Sequence, residues 1–283
     1  MRLKDGTLIR PVLRYHGGKF VLAPWIISHF PAHRIYVEPF GGAASILMRK
    51  APAYADVYND MDSEIVNVFH VLRDKTLAEQ LTRQVRLTPY ARAEFKSAYR
   101  EAVCPVERAR QTIVISFMGF GSAAHNRLHR TGFRGTAMRN GTTPAMDWKN
   151  WPEAIAFFTE RLRGVTIENQ DAFQLIPRHD SDRTLFYLDP PYPLETRGMS
   201  NQRQKHYSHE LATADHVRLA EIVRQLKGMV VMSSYPSALY KRLYGSRKDR
   251  GGGGGRWSPV RHLPMEPEKK QKCYGLTKLR SAA

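Results

Sequence analysis

Thr184-Leu185-Phe186-Tyr187-Leu188-Asp189-Pro190-Pro191-Tyr192 decides how this chain is read. After Thr184 the run to Leu188 is apolar throughout, the pattern of a central parallel strand covered on both faces. Pro190 and Pro191 have no N–H to give to a ladder, so the chain leaves the sheet at Asp189 and its carboxylate is left at the strand's carboxyl end. In open α/β sheets that edge is where ligands bind. Asp-Pro-Pro alone also describes a plain surface turn. Here, however, an apolar strand delivers a carboxylate, proline carbonyls and the Tyr192 ring to one point. Such a set suits a planar base carrying an amino group: Asp189 and the Pro190 carbonyl can accept its hydrogen bonds, and Tyr192 can stack on the ring.

Composition bounds the rest. The 283 residues, 42% of them hydrophobic, suffice for one large α/β domain with a smaller one inserted. No run reaches the roughly 18 apolar residues of a membrane span, and Met1 to Gly6 lacks the apolar core of a secretory signal, so a cytoplasmic location is expected. Cys104 and Cys273 lie far apart with no metal-spaced neighbours, which argues against a disulfide framework and against a metal site. Lys and Arg number 44 against 26 acids, a net charge of +18, which points to a polyanionic partner, nucleic acid first. Part of that excess sits in the tail beyond Arg247.

Three stretches upstream add to the picture. In Tyr15-His16-Gly17-Gly18-Lys19 the glycines permit a close turn, with Pro24 suited to the first turn of the helix that follows. Ile35 to Val37 reads as a strand, Glu38-Pro39-Phe40-Gly41-Gly42 as a small-residue turn, and a helix is expected from Ile46. That geometry lets a cofactor approach backbone, although it is not a full dinucleotide fingerprint. A second strand, Ala55 to Tyr58, ends at Asn59-Asp60, where an acid can hold ribose hydroxyls or cap the helix through Ile65 and Phe69.

The Asp189-Pro190-Pro191-Tyr192 turn matches the signature of amino-methyltransferases. In the order Tyr15 to Lys19, Val37 to Gly42, Asn59-Asp60 and Asp189 to Tyr192, the chain resembles the Dam-type, or D12 class, of DNA adenine N6-methyltransferases, especially phage and prophage versions, over about residues 10 to 245. The resemblance implies a Rossmann-like class I methyltransferase fold, an S-adenosyl-L-methionine cofactor, double-stranded DNA as partner and a monomer; it names no partner restriction nuclease. It makes Tyr15, Lys19, Asp60 and Asp189 cofactor-contacting, with Glu38 and Gly42 lining the same pocket, and gives Asp189, Pro190, Pro191 and Tyr192 the catalytic turn. Ala44 departs from the glycine that many members carry, and its methyl group is expected to crowd the pocket slightly. Asp171, after the strand around Val165 to Ile167, stands where class I enzymes place an acceptor for the cofactor's adenine amino group; capping of the helix from Phe173 is the competing account.

The catalytic domain is expected at 10–71 and 164–245, and a mostly helical target-recognition domain at 72–163. Within it, helical spacing over Leu77 to Arg86, Pro89 to Val103 and Glu107 to Met118 gives way to a stretch with Arg127, Arg130, Arg134 and Arg139 and almost no aliphatic residues. Arginines both hold phosphates and read guanine edges, and the resemblance puts a DNA-contacting hairpin here. Trp148, Trp151 and Phe157 are expected to close this insertion's own core. Glu195 to Tyr207 reads as a flap that orders on DNA, Thr213 to Leu226 as a helix with Val217, Ala220, Ile222, Val223 and Leu226 inward, and Met229 to Ser233 as a buried strand.

Residues 246–283 form an irregular basic tail with Gly251 to Gly255 and no strand periodicity. The family instead ends on an apolar strand of the type Lys-Thr-Glu-x-Leu-Trp-Leu-Asn. With permissive codons, Glu266 to Thr277 read one nucleotide back spells Gly-Ala-Arg-Lys-Lys-Thr-Glu-Met-Leu-Trp-Leu-Asn, so a frameshift near the glycine run is expected, leaving a sheet edge uncovered. Other readings of the same turn are an RNA, cytosine-N4 or protein-glutamine methyltransferase, and a decayed, non-catalytic DNA-binding remnant.

Overall fold

The computed structural model of the protein describes residues 10–121, 130–135, 142–196, 209–244 and 260–264. The strands are β1 (Ile35–Glu38), β2 (Ala55–Asn59), β3 (Val165–Glu168), β4 (Thr184–Leu188), β5 (Met229–Ser234) and β6 (Val260–Pro264). β4 is buried at every position. Its side chains alternate between two apolar layers, Leu185 and Tyr187 in one and Phe186 and Leu188 in the other, which is why the run has to be apolar throughout. All pairings are parallel, with Val37 opposite Phe186 on one side and Val230 opposite Phe186 on the other. The order is β3-β2-β1-β4-β5-β6. It reverses between β1 and β4, and the crevice of such a sheet opens there, at Glu38 and Asp189.

The helices are α1 (Ala23–Ile27), α2 (Ser63–Arg73), α3 (Lys75–Leu87), α4 (Arg92–Ser97), α5 (Pro105–Met118), α6 (Pro144–Asn150), α7 (Ile155–Leu162), α8 (Ala172–Arg178), α9 (Thr213–Gln225) and α10 (Ala238–Tyr244). One face of the sheet packs on α2, α5 and α7, the other on α8, α9 and α10. Pro24 and Pro105 stand in the first turns of α1 and α5, where a missing N–H costs nothing. α2 is capped by Asp62, whose side chain accepts from Glu64 N at 3.0 Å, so the cap is not Asp60.

Several expectations change. Trp148 and Trp151 are buried and Phe157 is half-buried, but they share one continuous core with Tyr36, Tyr58 and Tyr187 instead of closing a separate one. The reason is that α5 and α7 both pack on α2, which joins them to the sheet's core. The indoles are anchored by Trp151 Nε1 donating to the Val12 carbonyl at 3.1 Å and Trp148 Nε1 to that of Thr88 at 2.8 Å. No regular helix starts at Ile46. The amides of Met48 and Lys50 donate to the carbonyls of Ala44 and Ile46, a single helical turn entered through left-handed Gly42 (φ 47°) and Ala44 (φ 51°). In α9 the fully inward residues are His216, Leu219, Ala220 and Val223, with Val217 and Ile222 only half-buried.

The tail corrects the largest expectation. Val260–Pro264 pairs in parallel with β5, so that edge is covered. Backbone pairing to an open edge requires no side-chain alternation, and Pro264, without an N–H, closes the strand. Residues 266–277, and the frame reading placed on them, lie outside the described residues.

Candidate active site

The site assembles from five turns, one at residues 15–19 and the others at the carboxyl ends of β1, β2, β3 and β4. In the first, left-handed Gly17 (φ 72°) and the Gly18 amide donating to the Tyr15 carbonyl at 3.1 Å make a tight turn. It delivers Lys19, only 5% exposed, whose Nζ donates to the Gly17 carbonyl and to Asp189 Oδ2, each at 2.6 Å. Asp189 follows the end of β4, as the prolines require. Its other oxygen, Oδ1, accepts from Tyr192 OH at 3.0 Å and from Ser233 Oγ at 2.8 Å.

The second turn holds Glu38, 2% exposed, at the end of β1. Its Oε2 accepts from Tyr36 OH at 3.0 Å and from Leu47 N at 3.1 Å. Burial pushes its carboxyl up to about 8, against the pull of the Tyr36 and Leu47 bonds and with help from the Asp189 charge. Gly41 and Gly42 follow. A Cβ on Gly41 would stand 2.2 Å from the Tyr58 ring, and one on Gly42 2.8 Å from the Tyr15 ring, so neither position has room for a side chain. The loop is pinned by Gly41 N on the Asn59 carbonyl at 2.8 Å and by Tyr58 OH on the Gly42 carbonyl at 2.8 Å.

The third turn supplies Asp60, which accepts from Gly42 N at 2.7 Å and Asp62 N at 2.9 Å. Burial pushes its carboxyl up to about 6, while those amide bonds oppose the rise. Buried Asn59 locks the strand ends together: its Nδ2 donates to the carbonyls of Pro39 and Gln170 at 2.9 Å, and its Oδ1 accepts from Gln170 N at 3.0 Å. The fourth turn carries Asp171, which caps α8 by accepting from Phe173 N at 2.9 Å and also faces the cleft.

Between these turns lies a cleft of about 450 Å³. Tyr15, Lys19, Glu38, Gly42, Asp60, Asp171 and Asp189 all line it, so the seven residues assigned to the cofactor come together. Of the catalytic turn, Asp189 and Pro191 reach the cleft, whereas Pro190 and Tyr192 do not line it. Tyr192 is folded back, 9% exposed, with Lys19 Nζ 5.0 Å from its ring centroid and Tyr235 edge-on at 5.1 Å. In this state the ring does not offer the open stacking face expected of it. His209, Glu210, Leu211 and Asp215, at the entry to α9, also line the cleft. They form no motif, and Ser233 is an unmarked position in an apolar strand, so sequence reading passed over them.

Arg130 is exposed and Arg134 half-buried, and neither lines the cleft, while Arg127 and Arg139 and residues 197–207 of the flap lie outside the described residues. Gly119 and Phe133 form an antiparallel bridge, closed by Phe120 N on the Gly132 carbonyl and Arg134 N on the Met118 carbonyl, both at 2.7 Å. The Phe133 ring lies 5.3 Å from Tyr90 and 5.9 Å from Phe95, and the Arg130 guanidinium is 5.1 Å from the Tyr99 ring centroid. Among the described residues no group of three or more His, Cys, Asp or Glu could hold a metal, and no helix is long and apolar enough to cross a membrane.

The DNA adenine methylase of Salmonella typhi is 24% identical over 243 residues, covering 83% of this chain and 84% of that protein. Those of Vibrio cholerae and Escherichia coli K12 are 25% and 24% identical over 247 residues, with the same shares covered. The family model for D12 class N6 adenine-specific DNA methyltransferases matches residues 15–249, and the chain belongs to that family.

Proposed function

We propose that this chain transfers a methyl group from S-adenosyl-L-methionine to the N6 amino group of adenine within a specific sequence of double-stranded DNA. The observation that carries the reading is the convergence of Tyr15, Lys19, Glu38, Gly42, Asp60 and Asp171 with Asp189 in one cleft where β1 and β4 part.

The residues suit that cofactor. Glu38 is a buried carboxylate that its surroundings leave reluctant to ionise, so an incoming ammonium group supplies the missing counter-charge. Asp60 and Asp171 offer acceptors for ribose hydroxyls and an adenine amino group, and the bare Gly41-Gly42 backbone lets a nucleoside approach closely. When bound, the cofactor supplies an electrophilic methyl on a sulfonium.

The chain's own part is to present the target nitrogen. The adenine amino lone pair is delocalised into the ring, which makes it a weak nucleophile. Asp189 and the Pro190 carbonyl, which movement of the turn with Tyr192 brings to the cleft, accept from that group, turn the lone pair out of the ring plane and aim it along the line of displacement; alignment and electrostatics supply the acceleration. The target base leaves the stack to reach the cleft, and Tyr192 swings from its folded-back position to stack on it. Arg127, Arg130, Arg134 and Arg139, with the positive charge of the chain, hold the duplex.

Expression in a host without DNA methylation, followed by mapping of modified bases, tests this. The expected result is N6-methyladenine at one short sequence; N4-methylcytosine, methylated RNA or unmodified DNA contradicts it.

A further inference from the structure

Behind Asp189 runs a line of two buried hydroxyls that the reaction described above does not use. Leu188 pairs in register with Met232, so the next residues, Asp189 and Ser233, lie side by side at the sheet's carboxyl edge. Ser233 is fully buried; its Oγ lies 2.8 Å from Asp189 Oδ1 and 3.0 Å from the hydroxyl of Tyr187, itself 1% exposed.

A serine hydroxyl has one proton to give, and a carboxylate only accepts. Ser233 therefore donates to Asp189 and accepts from the Tyr187 hydroxyl, which fixes one direction along the line from Tyr187 through Ser233 to Asp189. Tyr192 OH, in its folded-back position, adds a second donor to the same Oδ1, while among the described residues Oδ2 accepts from the Lys19 ammonium alone. The two carboxylate oxygens are thus unlike: one is tied to the sheet by Ser233, and the other holds Lys19 and keeps a lone pair for a second donor.

We propose that Ser233, backed by Tyr187, is a positioning residue that anchors Oδ1 of Asp189 and so assigns Oδ2 to the target amino group. The inference rests on the function proposed above. An anchored carboxylate cannot rotate about its last bond, and the reacting nitrogen is held in line at no further entropic cost.

The test uses the full chain and four substitutions: Ser233→Ala, Ser233→Thr, Ser233→Val and Tyr187→Phe. Single-turnover methyl transfer to unmethylated DNA is read beside S-adenosylmethionine affinity and melting. Ser233→Ala and Ser233→Val are expected to slow transfer about 10- to 100-fold while cofactor affinity changes less than about 3-fold. Ser233→Thr, which has the shape of valine but keeps the hydroxyl, is expected to recover most of the rate, and Tyr187→Phe to show a smaller loss than Ser233→Ala. An alanine variant as fast as the unsubstituted chain, or threonine and valine variants of equal rate, overturns the assignment; if the alanine variant fails to fold, the threonine–valine comparison decides. A chain that transfers no methyl to DNA before any substitution defeats the proposed function instead.

Discussion

Lys19 Nζ lies 2.6 Å from Asp189 Oδ2 across 170 residues of chain, fastening the glycine turn over the end of β4. The ammonium is 6% and the carboxylate 18% exposed, so water screens the pair weakly. Lys19→Met leaves that oxygen without its charged donor and is expected to lower methyl transfer about 10- to 100-fold, the kinetic equivalent of one charge-assisted hydrogen bond. Lys19→Arg should recover only part, because a planar fork cannot replace a compact ammonium between Gly17 and Asp189. Rates of all three proteins under one set of conditions check this; an unimpaired methionine variant contradicts it.

Glu38 couples the site to pH. Its carboxyl ionises at about 8 in the folded chain against an ordinary 4.5, so the folded state binds more protons than the unfolded one between those values. The contribution to stability is therefore complete below about 4.5 and is lost as the pH rises toward about 8. Asp60, raised from 3.8 to about 6, acts in the same sense over the lower part of the window. Glu38→Gln keeps an acceptor for Tyr36 OH and Leu47 N but cannot ionise. Melting curves without cofactor should show the variant gaining on the unsubstituted protein as the pH climbs; a constant difference across the window contradicts the assignment.

How much of this was legible depended on where each signal sits. β4 and Asp189 could be read because an apolar run and two prolines are local facts, and the seven cleft residues because each ends a strand or belongs to a marked turn. Ser233 could not, since its partner lies 44 residues away and a serine in an apolar strand carries no mark. The helix expected from Ile46 shrank to one turn because backbone angles at Gly42 and Ala44 reverse the chain there. Helical spacing in α5 revealed an apolar face, and Trp148, Trp151 and Phe157 an apolar cluster, but not that both join α2 in the sheet's own core, so one core was read as two. β6 was missed because the edge of β5, not the residue pattern of the tail, selects it.

Ala44 is a non-glycine residue held at φ 51° and fully buried. That conformation costs an L-residue about 1–2 kcal/mol relative to glycine. Deleting its methyl group should therefore be less harmful than the same deletion next door: Ala44→Gly is expected to come out about 1–2 kcal/mol better than Ala43→Gly in denaturant unfolding. Equal losses at the two positions contradict the strain.

On the proposed function, Arg130 and Arg134 bear on the duplex rather than on the cofactor. Each Arg→Ala substitution should weaken DNA binding at every sequence and lower the slope of log affinity against log salt by about 1, with cofactor affinity unchanged. Titration of a labelled duplex at several salt concentrations measures both quantities, and an unaltered slope removes the arginine from the interface.

The central claim is that Asp189 presents an adenine amino group to a sulfonium methyl. Transfer of labelled methyl from S-adenosylmethionine to methylation-free DNA, compared between the unsubstituted chain and Asp189→Ala with melting as the control for folding, tests it most directly. The account predicts N6-methyladenine from the former and none above background from the folded variant; a variant that still methylates adenine at a comparable rate would contradict it.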